Sequence, residues 1–492
     1  MTAIAAPGVV VTSDKRSTSQ GATLAVLSTA AFMASLDLFI VNVAFPHIAR
    51  DFHGESLGNM SWILNGYAVL YAALLVPLGR LADRYGRLNG FLAGLALFTV
   101  ASAACAFSQD LWTLVAFRGL QAVGAAALTP TSLGLLLAAT PNERKVRAVR
   151  IWAAIGALAA ALGPVVGGLL VQASWRWVFL VNIPVGIVGL LAARRYVPDS
   201  RDPAVERTPD LVGAVFIVVG IGALALGLVK GSTWGWWSAG VLTSFAVAGV
   251  GLVTFWLRSA SHDLPVVELS LLRVRAFAWS NVTAVMFNLA FGAGLLAMVL
   301  WLQNVWGYSA IRTGLAIAPG PLMVPIFTAL SQRLARRVPP GVLAAIGCLL
   351  FGLGTLLVSL QVGASPAYAS EVLPGWLIGG AGVGFAFPTI MSAATVDLPP
   401  ARSSTGSAVV SMSRQVGLVL GVSVFVAVVG VPVGYAATHA AFEHAWWTIT
   451  VAAVVSAAAA IGMTPRRLTA ARGPARGPGA SRDHDVVSLQ TS

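Results

Sequence analysis

Residues 21–46 read GATLAVLSTAAFMASLDLFIVNVAFP. The stretch supplies the ~20 apolar residues an α-helix needs to cross the hydrocarbon core of a bilayer. Its one ionisable side chain is Asp37. An ionised carboxylate at the centre of a spanning helix costs roughly 2.5–3.5 kcal/mol on insertion scales, so it is rarely placed there idly. Burial disfavours the charged form of a carboxyl, and a neighbouring arginine favours it. A membrane aspartate held between the two influences can load and release a proton, and Asp37 is read as such a site. The structural alternative is an acid permanently paired to brace the first span.

The rest of the chain has the same character. Of its 492 residues 57% are hydrophobic and 10% charged, whereas soluble domains carry about 25% charged residues. A soluble globular protein is thereby excluded. Cys105 and Cys348 both lie in apolar runs with no CxxC or Cys/His neighbour, so neither a disulfide framework nor a metal site is expected. Cutting at charge clusters and Gly/Pro/Asn turns gives about fourteen apolar segments. They fall near 22–46, 59–79, 89–108, 111–138, 151–171, 177–193, 211–229, 237–257, 276–302, 310–331, 341–362, 372–393, 406–430 and 444–463.

With the amino terminus inside, alternate loops collect the arginines. Examples are Arg80, Arg84 and Arg87, then Arg144, Lys145, Arg147 and Arg150, then Arg194, Arg195, Arg201 and Arg207. The other side holds Arg50, Arg176, Lys230 and Arg312. Positive loops stay cytoplasmic, so both termini are expected in the cytoplasm. The net charge of +13 then reads as a topology signal that needs no nucleic-acid partner. Long polar connections at 194–210 and 258–275 isolate segments seven and eight. The expected organisation is an all-α membrane protein. A tail spans 1–21, a six-helix bundle 22–195, a linker with two extra helices 196–275, a second six-helix bundle 276–463, and a disordered tail 464–492.

Between segments two and three stands Gly79-Arg80-Leu81-Ala82-Asp83-Arg84-Tyr85-Gly86-Arg87. Two glycines permit a tight helix–loop–helix turn, and an acid among three arginines can form charge-assisted hydrogen bonds. The string matches G-x-L-A-D-R-x-G-R, and on it the chain resembles the major facilitator superfamily. The resemblance implies a conformational latch formed by Gly79, Asp83, Arg84, Gly86 and Arg87, with Asp83 and Arg84 central. The second-half echo, Leu334-Ala335-Arg336-Arg337, has Arg336 in the acid's place and carries no such role.

Arg118 and Gln121 stand within segment four, where an arginine must face protein or water with a partner. They match the family's L-x-x-x-R-x-x-Q-G except for Ala122, and the resemblance implies that Arg118 takes part in proton relay. Gly163-Pro164-Val165-Val166-Gly167-Gly168 is chemically a hinge or a packing seam. It resembles the G-P-x-x-G-G motif of drug exporters, with Ala159 replacing the usual preceding Gly. Further strings resemble the fourteen-span drug–proton antiporters of the EmrB and QacA type. They are Leu36–Pro46, Trp175–Pro184, Leu302-Gln303-Asn304, and Arg414-Gln415-Val416-Gly417 with Gly421.

The resemblance implies proton-coupled efflux of drugs, antibiotics or amphipathic secondary metabolites. Its setting would be a bacterial cytoplasmic membrane, with the proton gradient as energy source, no cofactor and no required oligomer. The alternative is a carrier importing or exporting one metabolite on the same scaffold. No HExxH, GxSxG or phosphate-loop pattern suggests an enzyme or an ATP-driven pump. Of eighteen acidic residues only Asp37 lies well inside an apolar run, and segments ten and thirteen carry none, which argues against divalent cationic drugs. A substrate cavity is expected at midplane between the bundles. Its expected walls are Trp62, Asn65, Tyr67, Met286, Asn288, Phe291 and Gln303, with Arg414 either a substrate contact or a clamp on backbone carbonyls.

Overall fold

The computed structural model describes residues 10–11, 20–201, 209–399 and 402–464. The two expected tails lie almost wholly outside the described residues, as does 202–208 of the linker. Within them stand fourteen helices long and apolar enough to span a bilayer. We number these α1 (Gln20–Asp51), α2 (Leu57–Tyr85), α3 (Arg87–Phe107), α4 (Leu111–Ala139), α5 (Asn142–Val171), α6 (Trp177–Tyr196) and α7 (Leu211–Trp234). Next come α8 (Ala239–Ser261), α9 (Arg275–Val305), α10 (Ala310–Leu334), α11 (Pro340–Gln361), α12 (Leu373–Val396), α13 (Ser403–Val429) and α14 (Tyr435–Ile461). Val10–Val11 pairs antiparallel with Ser200–Arg201, a two-residue bridge.

Several helices outrun the apolar cut made on the sequence. α5 begins at Asn142 rather than near 151, because the charged stretch NERKVRAVR is itself helical, with Glu143 in the first turn where the helix dipole favours an acid. α14 starts at Tyr435, so His439, Glu443 and His444 sit on its opening turns. A run of polar residues hides a helix from a hydropathy reading but does not break one.

Thr23 near the start of α1 donates to Tyr196 O at the end of α6 (2.7 Å), and Arg275 at the start of α9 donates to Gly462 O just after α14 (3.1 Å), so each half begins and ends at one face. In the first half α1 packs on α5 and α4 packs on both α2 and α3. In the second half α9 packs on α13 and α12 packs on α10 and α11. Matching glycines bring the paired helices close. A Cβ at Gly163 would stand 2.7 Å from Phe39 Cβ, and one at Gly167 3.0 Å from Ile40 O, both on α1. Gly417 and Gly421 hold α13 just as tightly against Val285 O and Leu289 O of α9. Only glycine allows such backbone-to-backbone approach in a membrane interior.

α7 and α8 form a hairpin. Asp210 caps α7 at Gly213 N (2.8 Å) and pairs with Arg258 on α8 (2.7 Å). α7 lies along α2 and α13, across the seam between the halves, and Lys230 Nζ donates to Asn59 Oδ1 beside the start of α2.

Candidate functional site

Asp37 and Arg118 are fully buried and bonded to each other. Arg118 Nη1 donates to Asp37 Oδ2 at 2.6 Å and to Gln121 Oε1 at 2.5 Å, and Nε reaches Ile63 O at 3.3 Å. Gln121 Nε2 donates to Asp37 Oδ1 (2.9 Å) and Ser102 Oγ (2.8 Å). Asn182 Nδ2 completes the carboxylate's shell at 3.3 Å. A buried carboxylate is tolerable only when paired and hydrogen-bonded, and this one has both.

The residues arrive from four helices. Arg118 and Gln121 are one turn apart on α4 and so face the same way, while α1, α3 and α6 bring Asp37, Ser102 and Asn182. On the sequence Asn182 stands only within the Trp175–Pro184 string, with no role of its own. The signal that could have found it is an amide lying within the apolar run that opens α6.

The Arg118 guanidinium lies 4.1 Å from the centroid of the Tyr67 ring. Tyr67 in turn stacks on Tyr71, with centroids 6.0 Å apart and planes 10° from parallel. Beyond Tyr67 opens a cavity of about 1350 Å³ between the two halves. Asn42, Asn65, Tyr67, Tyr71 and Arg118 line it from the first half, and Asn288, Phe291, Trp376, Phe387 and Arg414 from the second. Arg80, Asp83, Arg87, Lys145 and Ser403 mark its mouth on the arginine-rich face. Compact ligand pockets run to ~1,000 Å³, so the volume admits a polycyclic molecule with some of its water.

Of the expected wall residues Asn65, Tyr67, Asn288, Phe291 and Arg414 line this cavity. Trp62 and Gln303 do not, and both expectations are corrected. Trp62 packs half-buried against the apolar core at the start of α2, away from the opening. Gln303 sits in a π-helical turn at the end of α9 and donates from Nε2 to Val43 O of α1 at 3.0 Å. It ties the two halves together at the closed end of the cavity. Met286 is also absent from the walls.

That closed end is sealed by glycine contacts as well. A Cβ at Gly168 of α5 would lie 2.7 Å from Ile311 Cα, and Gly314 of α10 abuts Pro164 O in return. Asn65 Nδ2 donates to Ser423 Oγ at 3.1 Å, joining α2 to α13. The hinge string therefore has two faces. Gly163 and Gly167 seat α5 on α1, and Gly168 with Pro164 meets the opposite half.

In the 79–87 string residues 79–85 form the last turns of α2, and the turn narrows to Gly86, which adopts φ 116°, a conformation that L side chains avoid, while Asp199 caps α3 through Leu88 N at 3.0 Å. Gly79 packs against Pro130 of α4. Asp83 pairs with Arg87 at 2.6 Å, and Arg84 lies 5.1 Å over the Tyr85 ring. Arg80 reaches farther along the chain, donating to Pro265 O (2.7 Å) and Glu268 Oε1 (3.0 Å). Glu268 stands between Arg80 and Arg402, the latter at 3.7 Å just before α13. One acid on the connection between α8 and α9 thus faces basic residues of both halves. On the sequence Glu268 is one acid within the polar connection 258–275.

A family model of the Major Facilitator Superfamily matches residues 27–422. The chain is 35% identical to the multidrug resistance protein Stp of Mycobacterium tuberculosis, over 80% of this chain and 73% of that one. It is 31% identical to the methylenomycin A resistance protein of Streptomyces coelicolor, over 83% and 86% of the two chains. A crystal structure of a POT family transporter in complex with a thioalcohol-conjugated peptide superposes with a TM-score of 0.66 over 88% of this chain and 94% of that one. At 16% identity that likeness speaks for the fold alone. With its helix count, paired bundles and matched sequence, the chain is a multi-pass membrane protein that belongs to the major facilitator superfamily.

Proposed function

We propose that this chain exports drugs or antibiotic-like amphipathic metabolites from a bacterial cytoplasm, taking a proton inward at Asp37 in exchange. The observation that carries the reading is a buried Asp37–Arg118 pair whose arginine, stacked against Tyr67, borders a large cavity. An ionisable pair inside a membrane protein marks an ion or substrate path. The cavity supplies room for cargo and the carboxylate a place for the proton. Relatives named for resistance to several drugs and to methylenomycin A support export as the direction. The arginine bias of alternate loops supports a cytoplasmic mouth and cytoplasmic termini.

Two halves joined at one face and open at the other describe one station of an alternating-access cycle. Cargo enters from the arginine-rich mouth while the Gly168–Gly314 seam and the Gln303–Val43 bond close the far side. Proton arrival at Asp37 removes the charge that holds Arg118, and the bonds of α1 to α4 and α6 rearrange.

The test uses everted vesicles from an efflux-deficient bacterium that expresses the chain. Compounds to which expression confers resistance are added while a pH gradient is imposed. Addition should dissipate the gradient, and a collapsed gradient should stop accumulation. Accumulation that ignores the gradient would overturn the proposal.

A further inference from the structure

Among the cavity's lining residues the basic groups are Arg80, Arg87, Arg118, Lys145 and Arg414, against the single acid Asp83. Three of the five are answered: Arg80 by Glu268, Arg87 by Asp83 and Arg118 by Asp37. Lys145 stands at the mouth, where water screens it. Arg414 is different. It lies eleven residues into α13, which at 1.5 Å per residue puts it ~16 Å deep, near the middle of a membrane. Among the described residues it makes no hydrogen bond or ion pair, and its Nε is buried without a partner. The Phe387 ring lies 4.5 Å from the guanidinium carbon.

The walls around it carry further unanswered polar atoms. Asn65 Oδ1, Asn288 Oδ1 and Gln415 Oε1 are buried without partners. For Asn288 the amide orientation is fixed, because Nδ2 donates to Ala284 O at 2.8 Å and leaves the oxygen free. Phe291 and Phe387 meet edge to face at 5.5 Å on the same side. Arg414 is half-buried at the cavity wall with its Nε shielded and unpartnered, and polar atoms without partners at this depth are costly alone, so each is offset by a ligand that brings the complement. The complement is a negative charge for Arg414, hydroxyl or amine donors for the amide oxygens, and a ring to lie on the phenylalanines.

Resting on the export reading above, we propose that Arg414 is the specificity-determining anchor of the cavity, and that its cargo is an aromatic anion bearing hydroxyl or amine donors. The planar guanidinium suits a carboxylate or phenolate, gripped through two parallel N–H donors. Cationic drugs face an unopposed positive charge at the point of deepest entry and are rejected.

The test is equilibrium binding, which needs no gradient and so fails or succeeds apart from proton coupling. The protein is placed in phosphatidylcholine nanodiscs and titrated against two dyes that share one ring system. Fluorescein at pH 7 is an aromatic anion with a carboxylate and an ionised xanthene oxygen, whereas rhodamine 6G is an esterified cation. Fluorescence anisotropy, corrected with empty discs, should show fluorescein bound at least tenfold more tightly. Arg414→Gln should lower fluorescein affinity at least tenfold, Arg414→Lys should restore part of it, and Arg414→Glu should turn the preference toward rhodamine 6G. Equal or stronger binding of rhodamine 6G by the unaltered protein overturns the proposal, as does fluorescein binding that Arg414→Gln leaves unchanged. Binding of neither dye overturns it too. The dye preference of the unaltered protein decides the matter even where a variant fails to fold.

Discussion

Replacing Asp37 with asparagine isolates the proton from everything else the carboxylate does. The amide keeps the shape and one acceptor, so contacts from Gln121 and Asn182 can be kept in part. What is lost is the negative charge 2.6 Å from Arg118. Breaking a buried pair by removing one partner costs about 3–5 kcal/mol. Arg118 retains Gln121 Oε1, Ile63 O and the Tyr67 ring, which places the expected loss near the lower end, ~3 kcal/mol. Asp37→Asn should therefore reach the membrane with a lowered melting temperature. Adding Arg118→Gln should recover part of the loss, because the uncompensated charge is gone.

The transport consequences separate differently. In proteoliposomes Asp37→Asn should abolish accumulation driven by an imposed pH gradient. It should leave counterflow, the exchange of labelled for unlabelled substrate, within a few-fold of the unaltered protein, since exchange needs no net proton movement. The double variant should regain stability but not uphill transport. If Asp37→Asn still concentrates substrate against its gradient, the carboxylate is a brace and the proton travels elsewhere.

At the closed face, Gly168→Val inserts side-chain atoms where a Cβ alone would stand 2.7 Å from Ile311 Cα. It should shift the protein away from the state open at the arginine-rich face, read as slower thiol labelling of a cysteine placed at Lys145. Unchanged labelling would show that the seam yields without cost. At the mouth, Glu268→Gln removes an acid shared by Arg80 and Arg402. The groups are partly exposed, so ~1 kcal/mol is at stake, about a fivefold change in the ratio of the two states by the same labelling. Anion binding should also respond to the charge of Asp37. An aromatic sulfonate should bind more tightly to Asp37→Asn than to the unaltered protein, because Arg118 then lacks its counterion. Weaker binding to the variant would point to a cationic cargo.

The fourteen spans were legible because length and apolarity alone decide them. Asp37, Arg118 and Gln121 were legible because ionisable and amide groups are conspicuous among Leu, Val and Ala. Trp62 and Gln303 were misplaced for the converse reason. A helix apolar all round gives no periodic signal of which side meets lipid, core or cavity. Asn65 and Trp62 stand three residues apart on α2, yet one lines the cavity and the other the core. Glu268 escaped for a further reason. Its partners Arg80 and Arg402 are 188 and 134 positions away, and no local pattern reports such a meeting.

An anionic cargo constrains how proton and substrate can be coupled. Protonating Asp37 strips Arg118 of its counterion and makes the wall behind Tyr67 more positive, which favours an anion rather than expelling it. Direct competition for one charge, sufficient for a cation exporter, has the wrong sign here. Coupling must then run through the position of α1. That helix carries Asp37, seats Phe39 and Ile40 in the notches at Gly163 and Gly167, and offers Val43 O to Gln303. A change in the bonds of Asp37 moves the same few residues that hold α5, and α5 carries Gly168 into the seam with α10. On this route the proton sets which face is open while cargo charge sets what is carried. The two are read by different residues, Asp37 and Arg414, on opposite sides of the cavity.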